Sequence, residues 1–347
     1  MPTHDEIVQL LALQGESALL LHRAAHRVKR KILGNKVFLR GLVEFSNVCR
    51  CDCLYCGIRK SNEKVARYTL SDAEILEDAR FAIDHGYGAV VLQSGERNDE
   101  NFVKRVAKIV SGIKKISADV GITLSCGEET PDTYRLWRES GAERYLLRIE
   151  TSDAALFQQI HDEKANYQRR RQSLDDLREA GFTVGSGVMI GLPGQTLDQL
   201  AADLEFFRDQ DLDMIGMGPF LAHGDTPLGK RYPDTEEIKQ KRLLLALNMI
   251  AVTRLVLRDV NIAAATSLQA ISPSDGRQRG ILAGANVIMP NLGEAAKKRN
   301  YRLYDNKPDI DENAGNARLE LEKSLQKIGE IIAYRESGTP LHYLKRQ

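Results

Sequence analysis

Eight short β-type runs, each followed by a stretch with helical spacing, leave this chain few folds to choose from. The runs fall at 37–46, 89–93, 121–125, 144–148, 183–190, 214–218, 261–265 and 285–289. Between them, 71–85, 100–117, 131–140, 174–180, 197–210 and 235–258 carry the helix period. Ser71 with Glu74 three residues on forms a capping box, and Gly86, Gly141 and Gly181 each stop a helix before the next strand. Strand–helix alternation implies parallel βαβ units, and eight of them close a TIM-type (β/α)8 barrel. A doubly wound open sheet would place a Gly-rich turn after its first strand, and no such turn follows 37–46. The expected organisation is an N-terminal helical extension (1–36), the barrel (37–304) and a C-terminal helical tail (305–347). In the extension, Ile7, Leu10, Leu11, Leu13, Leu19 and Leu20 are broken by polar residues, as in amphipathic helices packed on a domain. The tail carries helix over 314–334 and is expected to pack outside the barrel or cap it.

The unusual polar residues cluster just after the strands: Cys49–Cys56, Ser94–Glu96, Cys126–Glu128, Glu150–Ser152, Gly191–Thr196 and His223–Asp225. In a parallel barrel these loops share the C-terminal mouth, where active sites form. With 49 Lys and Arg against 48 Asp and Glu, the chain has no excess charge for a nucleic-acid backbone. The triplets at 169–171 and 297–299 are too short to provide a basic patch. No apolar run reaches the length of a membrane span, and the first residues lack a cleavage signal, so a cytoplasmic location is expected. Structural disulfides are rare there, and five cysteines need another explanation.

Four of the five lie within eight positions. Cys49, Cys53 and Cys56 form C-x3-C-x2-C, which wraps one loop around an iron–sulfur cubane and supplies three thiolates. The fourth iron then stays open, as catalytic metal sites keep a free position. A structural zinc site wants four ligands, and no second knuckle exists. A redox C-x-x-C at 53–56 sits badly beside two further cysteines. A register through Cys51, Cys53 and Cys56 remains conceivable on spacing alone. Cys126 stands alone and reads as a core residue.

The cysteine loop, with Tyr55 as the aromatic before the last cysteine, resembles the signature of radical S-adenosylmethionine (SAM) enzymes. Ser94-Gly95-Glu96 is similar to that superfamily's GGE motif, and the run from Gly187 to Gly194 to its G-x-I-x-G-x-x-G motif. The family pattern leaves Cys51 without a ligand role. Within the superfamily, FSNVCRCDCLYCGIRKSN, VLQSGE, RYLLRIETS, GLPGQT, DMIGMGPFLAHGDTPL and GANVIMPN together resemble the HydE family of FeFe-hydrogenase maturases. The match runs from about Val37 to Tyr304. Biotin synthase and methylornithine synthase are less similar in these blocks.

The resemblance implies one 4Fe–4S cluster on Cys49, Cys53 and Cys56, reductive cleavage of SAM, and a 5′-deoxyadenosyl radical. The cofactor carries that chemistry while the protein places it. The resemblance assigns SAM to Tyr55, Ser94, Gly95, Glu96, Glu150, Arg170, Met214 and the backbone at Gly191. It assigns the substrate cavity to Thr123, Arg148, Thr266, Tyr301 and Tyr304. It also implies a small-molecule or organometallic substrate, namely a cysteine-bound iron carbonyl–cyanide precursor of the hydrogenase diiron centre. An electron donor such as ferredoxin or flavodoxin and transient contact with other hydrogenase maturases follow, with no nucleic acid or membrane partner. Against these roles stand plainer ones: Tyr301 and Tyr304 as one helix face, Arg169–Arg171 as a solvated helix start, His223 as a structural histidine. The chain departs from relatives in lacking C-terminal cysteines, in Ala265 for threonine and in Ile149 for histidine. The last two line the implied cavity and keep open a mutase or sulfur-chemistry enzyme acting on an amino-acid-like molecule. A non-enzymatic iron–sulfur carrier would need neither barrel nor SAM motifs.

Overall fold

The computed structural model describes residues 2–308 and 314–347. Its strands are β1 (Lys36–Ser46), β2 (Ala89–Ser94), β3 (Gly121–Ser125), β4 (Arg144–Leu146), β5 (Thr183–Ser186), β6 (Met189–Ile190), β7 (Met214–Ile215), β8 (Gly218–Pro219), β9 (Asn261–Ile262), β10 (Val287–Ile288) and β11 (Ile331–Ile332). The main sheet runs β10-β1-β2-β3-β4-β5-β7-β9, parallel throughout, and a bridge between Ala263 and Val287 joins its two ends. The result is a nearly closed TIM-type barrel with helices around it.

Two staves are kinked. β6 and β8 continue β5 and β7 beyond Gly187 and Gly216, pairing Met189 with Gly218. A Cβ on Gly187 would lie 1.8 Å from the Gly216 carbonyl oxygen, so the close approach of these staves requires glycine there.

The helix Asp72–Asp84 starts on the Ser71–Glu74 capping box, a device worth about 1 kcal/mol. Gly86, Gly141 and Gly181 take φ of +77°, +114° and +84°, the left-handed stop that their positions imply. The helix expected over 174–180 begins earlier, at Tyr167, with Asn166 as cap. Its first turns, YQRRRQS, contain too few apolar residues to show a period. The helix expected over 314–334 ends instead at Lys327. Gly329 (φ +74°) turns the chain, and Ile331–Ile332 pairs with Lys36 and Val37 of β1. In the extension, Ile7 and Leu11 are buried, whereas Leu19 and Leu20 face outward. The helix Gly15–Leu33 buries Ala18, Leu21, Ala25 and Lys29, one face at helical spacing.

The two ends of the barrel are finished differently. At the N-terminal end the tail closes the bore: the Gly338 carbonyl accepts from Asn261 Nδ2 (2.6 Å) and Arg40 Nη2 (3.4 Å), and Arg144 Nη2 meets Thr339 Oγ1 (3.2 Å). The outer wall is sealed by aromatic contacts, with Trp137 stacked on Tyr145 and edge-on to Phe102. Each such pair adds about 0.5–1.5 kcal/mol beyond its area. That leaves the C-terminal mouth for chemistry. Among the described residues, no helix is long and apolar enough to cross a membrane.

Candidate active site

The cysteine loop leaves β1 at Ser46 and folds over the mouth. Cys49, Cys53 and Cys56 are free thiols, half-buried in one loop. Burial pushes the Cys53 thiol up to about 12 and that of Cys56 well above its ordinary value. Unliganded, these two sulfurs stay protonated, so binding iron must release protons. Among the described residues, no three His, Cys, Asp or Glu side chains gather around one point as a single metal ion requires. A cubane, whose ligands attach to different irons, holds its thiolates farther apart.

The loop is braced from three sides. Gly95 donates its N–H to the Ser46 carbonyl (2.8 Å), and a Cβ there would lie 2.5 Å from Val48 O and 2.8 Å from Cys49 Cβ. Glu96 acts as a clamp: Oε1 meets Arg50 (2.9 Å to Nη2) and Cys51 Sγ (3.2 Å), and Oε2 accepts the Glu128 N–H (2.9 Å). From the far side, Leu54 N–H donates to Ile160 O and Asp52 N–H to Asp162 Oδ2, both at 2.9 Å. Cys51 is thereby engaged with a carboxylate, and its thiol also lies within hydrogen-bond reach of Cys49.

Tyr55 is half-buried, with its hydroxyl 3.4 Å from His161 Nε2 and the two rings edge to face. His161 donates Nδ1–H to Phe157 O, and burial followed by the Arg170 charge pulls its pKa down to about 4. It is a neutral ring that fixes Tyr55, and no motif in the sequence points to it. Its only signal there was its place at the end of an apolar run, ALFQQIH.

Arg170 reaches the mouth from the helix Tyr167–Glu179. Its Nε pairs with Glu128, and Nη1 donates to Arg148 O (2.7 Å). Burial opposes its charge, but Glu128 and Glu96 hold its pKa above the ordinary value. Glu150 sits beyond β4 with φ +66°, a left-handed conformation that costs a non-glycine residue on the order of 1 kcal/mol. Its backbone is held by Gly187 O and Met189 N–H, and its carboxylate pairs with Arg148 Nη2 at 2.8 Å. Ser94, Gly95, Glu96, Glu150, Arg148 and Arg170 therefore meet around the cysteine loop.

Deeper in the bore, Thr123 and Met214 line a small cavity with Arg40, Leu146 and Asn261, of about 20 Å³. Met214 Sδ lies 3.1 Å from Arg40 Nη1, so this methionine belongs to the barrel interior rather than its rim. Arg40 and Arg144 are buried with no carboxylate against them among the described residues. Arg40 Nε and Arg144 Nε and Nη1 find no acceptor there. Burial lowers both pKa values, and for Arg40 the Arg144 charge adds to it. The hint in the sequence was Arg40 and Glu44 on one face of an otherwise apolar strand.

Gly191 (φ +78°) has both backbone groups engaged: its N–H by Gln195 Oε1 and its carbonyl by Arg242 Nε. Thr266 opens the helix Thr266–Ile271 and is half-buried. Tyr301 and Tyr304 lie on an irregular strap, not on a helix face. The strap is tied down by Asn47 Nδ2 to Asn300 O (2.7 Å) and Gly57 N–H to Leu303 O (3.0 Å). Lys307 adds a buried ion pair to Glu44, whose Oε2 accepts from Asn291 (2.6 Å). His223 is engaged within its own loop, accepting the Asp225 N–H at Nδ1, and Cys126 is buried in the core.

Comparison with known proteins places this geometry. The family model of the radical SAM superfamily matches residues 43–207. The [FeFe] hydrogenase maturase subunit HydE of Thermotoga maritima is 42% identical over 288 residues, 83% of this chain and 79% of that protein. A 3-methylornithine synthase of Methanosarcina acetivorans is 28% identical over 307 residues, 87% of this chain and 83% of that one. Among solved structures, methylornithine synthase (PylB) superposes with a TM-score of 0.81 at 25% identity, over 96% of this chain and 94% of its own.

Proposed function

Because the chain belongs to the radical SAM superfamily and is a radical SAM enzyme close to HydE, we propose that it cleaves SAM reductively to mature the FeFe-hydrogenase diiron centre. The substrate in this reading is a cysteine-bound iron carbonyl–cyanide precursor, with ferredoxin or flavodoxin as electron donor and other maturases as transient partners in the cytoplasm. The likeness to the T. maritima maturase subunit, joined to a C-x3-C-x2-C loop at the barrel mouth, carries this reading.

The donor set suits one 4Fe–4S cluster. Three free thiols share a loop, Gly95 leaves room for the backbone to pass, and Cys51 is held by Glu96. When bound there, the cluster supplies one electron that breaks a C–S bond of SAM, giving methionine and the 5′-deoxyadenosyl radical. The protein's part is placement. Ser94 and Gly95 offer backbone groups to the SAM ammonium, Glu96 fixes the loop around it, and Arg170 offers guanidinium donors to the carboxylate. Glu150 accepts from the ribose or ammonium, and Tyr55, held by His161, walls the nucleoside. The backbone of Gly191 borders the same space, whereas Met214 lies deeper in the bore beside Arg40. Thr123, Arg148, Thr266, Tyr301 and Tyr304 surround the substrate, and the uncompensated cations Arg40 and Arg144 give the bore a positive field that suits an anionic one.

The test is anaerobic reconstitution with iron and sulfide, then EPR with and without SAM, then replacement of a known HydE in a hydrogenase maturation assay. A SAM-shifted 4Fe–4S signal with restored hydrogenase supports the reading. SAM consumption without maturation would turn it toward an amino-acid-like substrate. The near-complete superposition on methylornithine synthase favours that second reading over the others.

A further inference from the structure

The charge of the chain is nearly balanced, but its distribution is not. Between Arg50 and Arg67, five Lys and Arg stand against two Asp and Glu, in a chain whose net charge is +1. Folding decides which of these charges remain uncompensated. Arg50 pairs with Glu96, Arg59 with Asp52 and Lys64 with Asp225. Among the described residues, Lys60 and Arg67 remain of the five without a carboxylate partner, and the strap adds the exposed Arg302. Arg67 donates only to carbonyls, those of Asn47 and Ile58 (2.7 Å each), Arg59 (2.6 Å), Lys60 and Asn62. Among the described residues, the exposed acids of this run and strap with no Lys or Arg partner are Glu63 and Asp305, so three cations stand against two acids.

The backbone segments that carry these three cations adjoin one another. The Lys60 N–H donates to Cys51 O (2.8 Å), and Arg67 binds the Lys60 carbonyl. Arg67 also holds Ile58 O, and the next residue back, Gly57, is packed so closely on Arg302 O that a Cβ would lie 2.0 Å from it. These segments border the cysteine loop, and the Lys60 N–H ties them to its backbone at Cys51.

We propose that Lys60, Arg67 and Arg302 form the docking face for an acidic, low-potential one-electron carrier protein. The inference rests on the reductive reading above and adds to it the place where the electron enters. Electron transfer weakens steeply with distance, so a carrier must seat against this loop, and complementary charge steers it there. Three uncompensated cations are too small a footprint for a nucleic-acid backbone, which needs many neutralised phosphates. The carrier loses one electron, which passes through the cluster to the sulfonium of SAM; no atom or proton moves between the proteins.

The experiment compares reconstituted wild type with the charge-reversed K60E/R302E and with R27E/K31E, an equal charge change on the exposed face of the helix Gly15–Leu33. Arg67 is left intact because it holds the loop carbonyls. Reduced acidic flavodoxin is mixed with cluster-loaded protein without SAM, and its reoxidation is followed by stopped-flow absorbance. SAM cleavage is measured in parallel with flavodoxin and with dithionite. Carbodiimide cross-linking of oxidised flavodoxin is mapped by mass spectrometry.

The expected result is a drop of about tenfold or more in flavodoxin oxidation for K60E/R302E, an unchanged dithionite-driven rate, and cross-links at Lys60. R27E/K31E should behave as wild type. The wild-type rate should fall with added salt. Unchanged flavodoxin oxidation, an equal drop in R27E/K31E, a salt-independent wild-type rate, or a parallel loss with dithionite would each overturn the proposal. If K60E/R302E fails to load iron, the wild-type salt profile and cross-links decide the matter. Absence of dithionite-driven SAM cleavage in wild type would instead refute the reductive reading itself.

Discussion

Gly95→Ala tests whether the end of β2 sets the position of the cysteine loop. The new methyl would stand 2.5 Å from Val48 O, 2.8 Å from Val48 C and 2.8 Å from Cys49 Cβ. Ordinary contact begins near 3.5 Å, so the loop or the strand end must yield by roughly 1 Å. The nearest atoms are backbone, which has no rotamer to escape into, and Gly95 is itself pinned to Ser46. Overpacking of this kind costs about 1–3 kcal/mol. Gly95 is not in the left-handed region, so alanine regains about 0.4–1 kcal/mol by restricting the unfolded chain. The net loss of about 1–2 kcal/mol corresponds to a fall of only about 1–3 °C in Tm for a chain of this size. Cluster assembly should respond far more. A ligand displaced by roughly 1 Å lies well outside the roughly 0.2 Å tolerance of metal sites. We expect Gly95→Ala to fold, with a Tm within a few degrees of wild type, but to retain less than about half the iron and sulfide after anaerobic reconstitution. Full iron content with an unaltered EPR signal would refute the argument that Gly95 seats Cys49.

Three further outcomes follow from the same structure. Cys51→Ala should keep its iron and a SAM-responsive EPR signal, whereas alanine at Cys49, Cys53 or Cys56 should abolish both; cluster loss in Cys51→Ala would mean that the register is wrong. Glu44→Gln leaves Lys307 buried without its anion, a change that costs roughly 3–5 kcal/mol when nothing relaxes. Release of the strap should relieve it, seen as faster amide exchange at 300–307; unchanged exchange there would show that the pair does not hold the strap. Burial raises the Asp203 carboxyl to about 7, above its unfolded value of 3.8. A raised acid binds its proton better in the folded state, so its contribution is full below the unfolded value and is lost as pH climbs toward 7. Asp203→Asn mimics the protonated form and keeps the acceptor for the Ser152 N–H. Its Tm advantage over wild type should therefore grow from pH 5 to pH 8, and a constant difference would contradict the shift.

Much of the site was legible because its residues are close in sequence or follow strand ends. Cys49, Cys53 and Cys56 share one loop, and Ser94–Glu96 and Glu150 come straight after strands that a period of two reveals. The partners that hold them were hidden. His161 meets Tyr55 across 106 positions, and Glu128 meets Arg170 across 42. Neither pairing leaves a local pattern. The exposed Leu19 and Leu20 were misread for a related reason: spacing defines a helix face, but only the neighbouring helix decides which face is covered. The end of the tail helix followed from Gly329, whose stop was masked by the apolar residues Ile331 and Ile332 that β1 recruits as a strand.

The sequence by itself determined the alternation of strand and helix, hence the barrel, and the spacing of three thiols on the first loop. Both are local properties, set by side-chain period and by a few consecutive residues. Only the tertiary structure decided which charges are compensated and which are not. Among the described residues, Glu96 clamps the loop, Arg40 and Arg144 are buried in the bore with no acid against them, and Lys60, Arg67 and Arg302 are exposed without a carboxylate partner. Electrostatic energy depends on distance and burial, and for residues 20 to 250 positions apart those are fixed only when the staves close.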